Sequence, residues 1–177
     1  HLTLTNCVLF GNTATGWGGG LHVADADVTV TGCAFRNNTA IGRMGGAVCS
    51  QGSTLNIANC IFESNSGSAL QAFDSRVALS RCSFTDNTGD KGGAIYDYAV
   101  RTSIASTYLI LSGCTFVRNT ASTAGGALYV DNASTTVTGC TFASDTTGGN
   151  GGAIYNAWAT LLLDNCVFTN NTAAGSG

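Results

Sequence analysis

Apolar and polar residues alternate in a series of short stretches along the chain. Leu2/Leu4, Val28/Val30, Leu55/Ile57, Val77/Leu79, Leu109/Leu111 and Leu161/Leu163 are each split by a single residue, and Thr3, Thr29 and Asn56 are among the separators. A period of two with one face inward predicts a β-strand. A helix would instead space its apolar residues at i, i+3, i+4 and i+7. Each pair lies five and three residues before a cysteine: Cys7, Cys33, Cys60, Cys82, Cys114 and Cys166. After the cysteine the alternation resumes out of phase, with Cys and Phe two apart as in Cys33/Phe35. A one-residue slip turns a strand over unless the chain bends at that point. The residues before the seven regular cysteines are Asn6, Gly32, Asn59, Arg81, Gly113, Gly139 and Asn165. Gly and Asn enter the left-handed region at least cost. One left-handed residue is therefore expected to turn a corner there and keep both apolar faces inward, with Arg81 the odd member.

The spacing is periodic. Successive gaps from Cys7 through Cys33, Cys60, Cys82, Cys114 and Cys140 to Cys166 are 26, 27, 22, 32, 26 and 26 residues. A second marker follows the glycine pairs: Gly20, Ala47, Ala69, Ala94, Ala127 and Ala153. The arc from this marker to the next cysteine is 13 residues in every case but Ala94 to Cys114, which is 20 and carries an insertion near residues 97–107. A fixed period in this range marks a repeat architecture. Leu21, Val48, Leu70, Ile95, Leu128 and Ile154 then start a third strand. Asn12, Asn38, Asn65, Asn87, Asn119, Asp145 and Asn171 stand five after each cysteine, where Asn suits a strand-ending turn and amides on adjacent rungs can bond along the axis. The expected fold is all-β: a right-handed parallel β-helix solenoid with three short strands per turn. About six to seven rungs near 4.8 Å apart give a rod roughly 30 Å long. Residues 1–177 are expected to form one β-helix domain.

Gly-Gly-Ala-Val (45–48), Gly-Gly-Ala-Ile (92–95, 151–154) and Gly-Gly-Ala-Leu (125–128) alternate with Phe-x-x-Asn (35–38, 62–65, 84–87, 116–119, 168–171). This pattern resembles the repeat of chlamydial polymorphic membrane proteins and of similar right-handed β-helix surface proteins in other bacteria and in algae. The departures are Leu9 for Phe, Asp145 for Asn, Gly20 for Ala and Gly67-Ser68-Ala69-Leu70. The resemblance implies a surface-exposed adhesive or scaffolding rod. The motif residues build the coil and name no ligand.

Charge and composition narrow the function classes. Only 10% of residues are charged and the net charge is −3. That gives no basic footprint for nucleic acid and no cluster for an anionic membrane surface. Aliphatic runs are too short to span a bilayer, so direct membrane insertion is not expected. No proline interrupts a ladder. No signal peptide is visible and neither end shows the polar cap a solenoid usually carries. The chain is therefore expected to be a segment of a longer protein, or a subunit that stacks on protein partners at its ends. The expected location is extracellular or on the cell surface.

The seven column cysteines are expected to be buried and mostly reduced, because in-register parallel side chains suit disulfide geometry poorly. No Cys/His pair has zinc-finger spacing, and no metal or cofactor is expected. Cys49 falls outward between His22 and Gln71 and reads as an incidental surface thiol.

Candidate chemistry lies on the outward column His22, Cys49, Gln71, Tyr96, Tyr129 and Tyr155. The three tyrosines, with Asp97, Asp131 and Trp158 close by, form a candidate binding face. Aromatic faces flanked by polar groups suit glycans and protein interfaces, though aromatics also pack well on strands. An enzyme is the rival class, since right-handed β-helices include polysaccharide lyases and glycoside hydrolases. Asp97 and Asp131 on adjacent rungs would then be the carboxylate pair glycoside hydrolysis needs. The sequence suggests no basic residue beside the groove except Arg101, and the expectation is a non-catalytic protein. Tyr98, Arg101 and Tyr108 mark the insertion as a candidate contact site. Asn37, Asn132 and Asn170 head Asn-x-Ser/Thr sequons, which are N-glycosylation acceptors in a secreted eukaryotic protein.

Overall fold

The computed structural model describes residues 1–42, 44–100 and 107–177. All regular elements among them are strands, and all pair in parallel. The first sheet holds seven strands: Leu2–Thr5, Asp27–Thr31, Thr54–Ala58, Arg76–Ser80, Tyr108–Ser112, Ser134–Thr138 and Leu161–Asp164. The second also holds seven, from Val8–Phe10 through Ala34–Arg36, Ile61–Glu63, Ser83–Thr85, Thr115–Val117 and Thr141–Ala143 to Val167–Thr169. The third holds six: Leu21–Ala24, Val48–Gln51, Leu70–Phe73, Ile95–Tyr98, Leu128–Asp131 and Ile154–Ala157. These are the three expected strands per turn.

The corner before each cysteine is left-handed throughout. Asn6, Gly32, Asn59, Arg81, Gly113, Gly139 and Asn165 have φ between 49° and 64°. Arg81 takes the same conformation as the glycines and donates from Nε to Asn59 Oδ1 of the preceding rung at 2.9 Å. The thiol behind the corner is used as a donor: Cys33 Sγ reaches Thr31 O at 3.4 Å, and Cys60 Sγ reaches Ala58 O at 3.2 Å. The same thiols accept along the axis, with Cys33 N donating to Cys60 Sγ at 3.3 Å. All eight cysteines are unbridged thiols.

Inside, the columns stack as files. Phe35, Phe62, Phe84, Phe116 and Phe142 are fully buried, with ring centroids 4.5 to 5.0 Å apart. The amide file runs beside them. Asn38, Asn65 and Asn87 each donate backbone N and side-chain Nδ2 to the Oδ1 of the next rung, at 3.0 to 3.1 Å. The turn assigned to these asparagines belongs to their neighbours. Left-handed φ falls one residue earlier, at Gly11, Asn37, Ser64, Asp86, Arg118, Ser144 and Asn170. From Asn38 to Asp145 the ladder residue is buried because its side chain faces the axis.

The variable arc contains a narrow fourth ribbon besides the three sheets. Thr13–Ala14 pairs with Thr39–Ala40, and Thr88–Lys91, Thr120–Ala124, Thr146–Thr147 and Thr172–Ala173 continue it, with Ser66 bridging between. Four of its six strands are only two residues long, and such strands give no periodicity for a sequence to show. In the glycine pair, the first residue supplies left-handed φ, as at Gly125 (63°), and the second permits close rung contact. A Cβ at Gly126 would strike the Gly152 carbonyl of the next turn.

Candidate functional site

The third sheet decides which side chains share a face. Its register pairs Gln71 with Cys49 and Tyr96, then Tyr96 with Tyr129, and Tyr129 with Tyr155. The outward file expected from the sequence therefore exists. The next outward positions are Gln51, Phe73, Tyr98 and Asp131. The tyrosines do not form a continuous stack. Tyr129 and Tyr155 stack at 22° with centroids 5.1 Å apart, whereas Tyr96 meets Tyr129 edge-on at 88° and 5.2 Å. Tyr129 is itself buried.

Asp97 does not join this face. It pairs with Ala72 and Val130 in the inward file and is 1% exposed. Burial first, then the nearby Asp74, push its carboxyl up to about 7. Its Oδ2 has no hydrogen-bond partner among the described residues. Asp131 pairs with Tyr98, not with Asp97, and accepts from Asn132 Nδ2 at 2.8 Å. The two carboxylates on adjacent rungs thus point to opposite sides of the strand. Alternation by parity, which a one-residue offset reverses, accounts for the difference.

Trp158 is 77% exposed at a left-handed corner with φ 49°. Asn37 and Asn170 are exposed at equivalent left-handed corners, whereas Asn132 is buried. Cys49 is outward but covered, and burial pushes its thiol up to about 11. It is not a surface thiol. Tyr98 is half-buried against Phe73, 5.5 Å between centroids. Tyr108 opens a strand of the first sheet, away from this face. Arg101 lies outside the described residues.

A groove of about 310 Å³ opens on this face at the early rungs. Trp17 and Met44 form one rim, Cys49 and Gln71 the floor, and Phe73 and Tyr98 the opposite wall. Trp17 and Met44 face each other through a parallel bridge. Beyond Gln71 the rim continues at Lys91, whose Nζ stands 4.8 Å over the Tyr129 ring and 5.6 Å over Tyr96. Burial disfavours the Lys91 ammonium, but Tyr96, Tyr129 and Asp131 outweigh it and its pKa is raised. This lysine corrects the expectation that Arg101 is the single basic residue near the groove. A sequence signal existed for the whole rim. Trp17, Met44, Ser66, Lys91, Ala124 and Asn150 each precede the first glycine of a turn, but they sit in the arc whose length varies.

Among the described residues, no three His, Cys, Asp or Glu side chains come together to hold a metal ion. No helix among them is long and apolar enough to cross a membrane. A family model described as a right handed beta helix region matches residues 2–142. No curated protein matches the chain.

Proposed function

We propose that this chain, which belongs to the right-handed β-helix family, serves as a rigid, non-catalytic scaffold segment of a cell-surface or extracellular assembly. The observation that carries this reading is the division of labour in the third sheet. Its inward side chains build the coil, and its outward side chains offer rings and amides without a pair of carboxylates. Asp97, the residue an active pair would need, faces the core. The alternation of Gly-Gly-Ala-aliphatic with Phe-x-x-Asn, similar to chlamydial polymorphic membrane proteins, supports an adhesive rod in particular. Exposed sequons at Asn37 and Asn170 suit glycans on an extracellular rod, and Asn132, whose amide is engaged by Asp131, suits them poorly.

A carbohydrate-binding role for the same face is the second reading, favoured by the stacked Tyr129/Tyr155 pair beside Lys91. Both readings expect binding without turnover. The deciding assay incubates the chain with polygalacturonate, alginate and a glycan panel. No product release is expected. Release that disappears in Asp131→Ala would replace the scaffold with a polysaccharide-active enzyme.

A further inference from the structure

The rings of the third sheet already hold a cation. Tyr96 and Tyr129 meet at 88° with centroids 5.2 Å apart, so their planes make two walls of a right-angled corner. Lys91 Nζ stands over both, 4.8 Å from the Tyr129 centroid and 5.6 Å from that of Tyr96. Both distances fall within the roughly 6 Å over which a ring face attracts a positive charge. Tyr155 stacks on Tyr129, and Tyr98 lies 6.3 Å from Tyr96. Asp131 acts on the same ammonium and favours its charged form. The corner is reachable from outside. A cavity of about 260 Å³ runs beside it, lined by Lys91 and Tyr96 with Met44, Gln71 and Asp90. Lys91 and Tyr96 are both partly exposed.

The group in place tells what the corner takes. Lys91 comes from the arc whose length varies, and its counterparts on the other turns are Trp17, Met44, Ser66, Ala124 and Asn150, none of them basic. The coil is built on those turns without an ammonium, so what holds one here is the pair of rings. That hold is weak, because a partly exposed cation–π contact favours the bound state only a few-fold. A lysine ammonium is a compact, strongly hydrated charge that must shed water to reach the rings. A quaternary ammonium spreads the same charge over methyl groups, sheds water more cheaply and is the cation aromatic cages bind best. We propose that the Tyr96–Tyr129 corner is a binding site for an organic cation, a quaternary ammonium of the choline type, and that Lys91 is a tethered stand-in which the ligand displaces as it enters from the cavity. This rests on the scaffold reading and names what its binding face takes. Asp90 on the cavity wall and Asp131 beside the ammonium repel a phosphate or carboxylate carried on the ligand. A free cation is therefore preferred to a phosphocholine headgroup. A neutral sugar would forgo the attraction that draws Lys91 to the rings.

The probes are choline, its uncharged isostere 3,3-dimethylbutan-1-ol, and phosphocholine. Each is titrated into the folded chain while the ring protons of Tyr96 and Tyr129 are followed by NMR. Choline should shift both rings saturably and bind roughly two- to fivefold more tightly than the isostere, the range a partly exposed cation–π contact supplies. Phosphocholine should bind more weakly than choline. Lys91→Gln vacates the corner and should tighten choline about threefold, since the binding-competent fraction of the chain rises, with little change for the isostere. Lys91→Arg keeps a tethered cation and should not tighten it. Tyr96→Leu should abolish the preference for choline over the isostere. That preference is a ratio within one chain, so it stays readable if the variant is less stable, and the partly exposed Lys91 variants carry the test if it does not fold. No saturable ring shift at millimolar choline, equal binding of choline and the isostere to Lys91→Gln, an unchanged choline affinity in Lys91→Gln, or tighter binding of phosphocholine than of choline would each overturn the proposal. So would a neutral oligosaccharide that shifts these rings saturably where choline does not. None of these results depends on turnover, so failure here leaves the polysaccharide assay free to judge the scaffold reading separately.

Discussion

At position 145 an aspartate stands in a file of amides. Asn119 donates N and Nδ2 to Asp145 Oδ1 at 2.8 and 2.9 Å, as every asparagine in the file does to the next. The other oxygen occupies the place where Asn119 and Asn171 carry an Nδ2 donating to Phe84 O and Phe142 O. Asp145 Oδ2 has no such donor to offer when ionised, and is buried without a partner among the described residues. Burial pushes its pKa up to about 6 against the bonds from Asn119, which lower it. A carboxyl whose folded pKa exceeds its ordinary 3.8 binds more protons folded than unfolded, so stability falls as pH rises through 3.8 to about 6. Asp97 extends the decline to about 7. Asp145→Asn restores the amide and is expected to raise stability at pH 8 by about 3 kcal/mol, at 1.36 kcal/mol per pKa unit between 3.8 and about 6. Urea unfolding at pH 4 and pH 8 checks this: the parent should lose stability between the two, and Asp145→Asn should lose less. Phe116→Ala, mid-file, should cost about 3–5 kcal/mol in the same assay. A loss below about 1 kcal/mol would put that ring outside the core.

The elements are short strands whose ends are set by single residues. The left-handed corner before each cysteine was legible because the apolar phase slips there and Gly or Asn recurs. Arg81 was the hard case; φ 49° at an arginine shows stacking imposing a conformation that the side chain does not favour. The fourth ribbon was not legible, because most of its strands are two residues of Thr and Ala and carry no pattern. Of the candidate face, the tyrosine file followed from spacing and is present. Asp97 was misassigned by one position, and the parity of alternation makes one position the difference between surface and core. The rim at Trp17, Met44 and Lys91 does not stand out in the sequence, because it lies in the arc whose length varies from turn to turn. Glycines separate two effects at this scale. Gly126→Ala should destabilise by roughly 1–3 kcal/mol or more, because its Cβ meets backbone of the next turn. Gly139→Ala has nothing within 4 Å to strike and should lose only the roughly 1–2 kcal/mol of a left-handed L-residue. Equal losses in thermal unfolding would mean that rungs are not packed that closely.

Across the whole molecule, stability and recognition are carried by different sides of the same strands. The files of Phe, Leu, Val, Cys and Asn run the length of the rod and each depends on its neighbours above and below. The outward face of the third sheet is released from that demand and varies from His22 to Tyr155. The most direct check on this arrangement is the count of reactive thiols. Cys33, Cys49, Cys60, Cys82, Cys114 and Cys140 are buried, and Cys7 and Cys166, on the terminal rungs, are partly so. Titration with a thiol reagent should therefore find eight free thiols in denaturant and no more than two reacting promptly in the native chain. Prompt native reaction of more than two, or fewer than eight in denaturant, would contradict a single inward file of unbridged cysteines and the stacked core built on it.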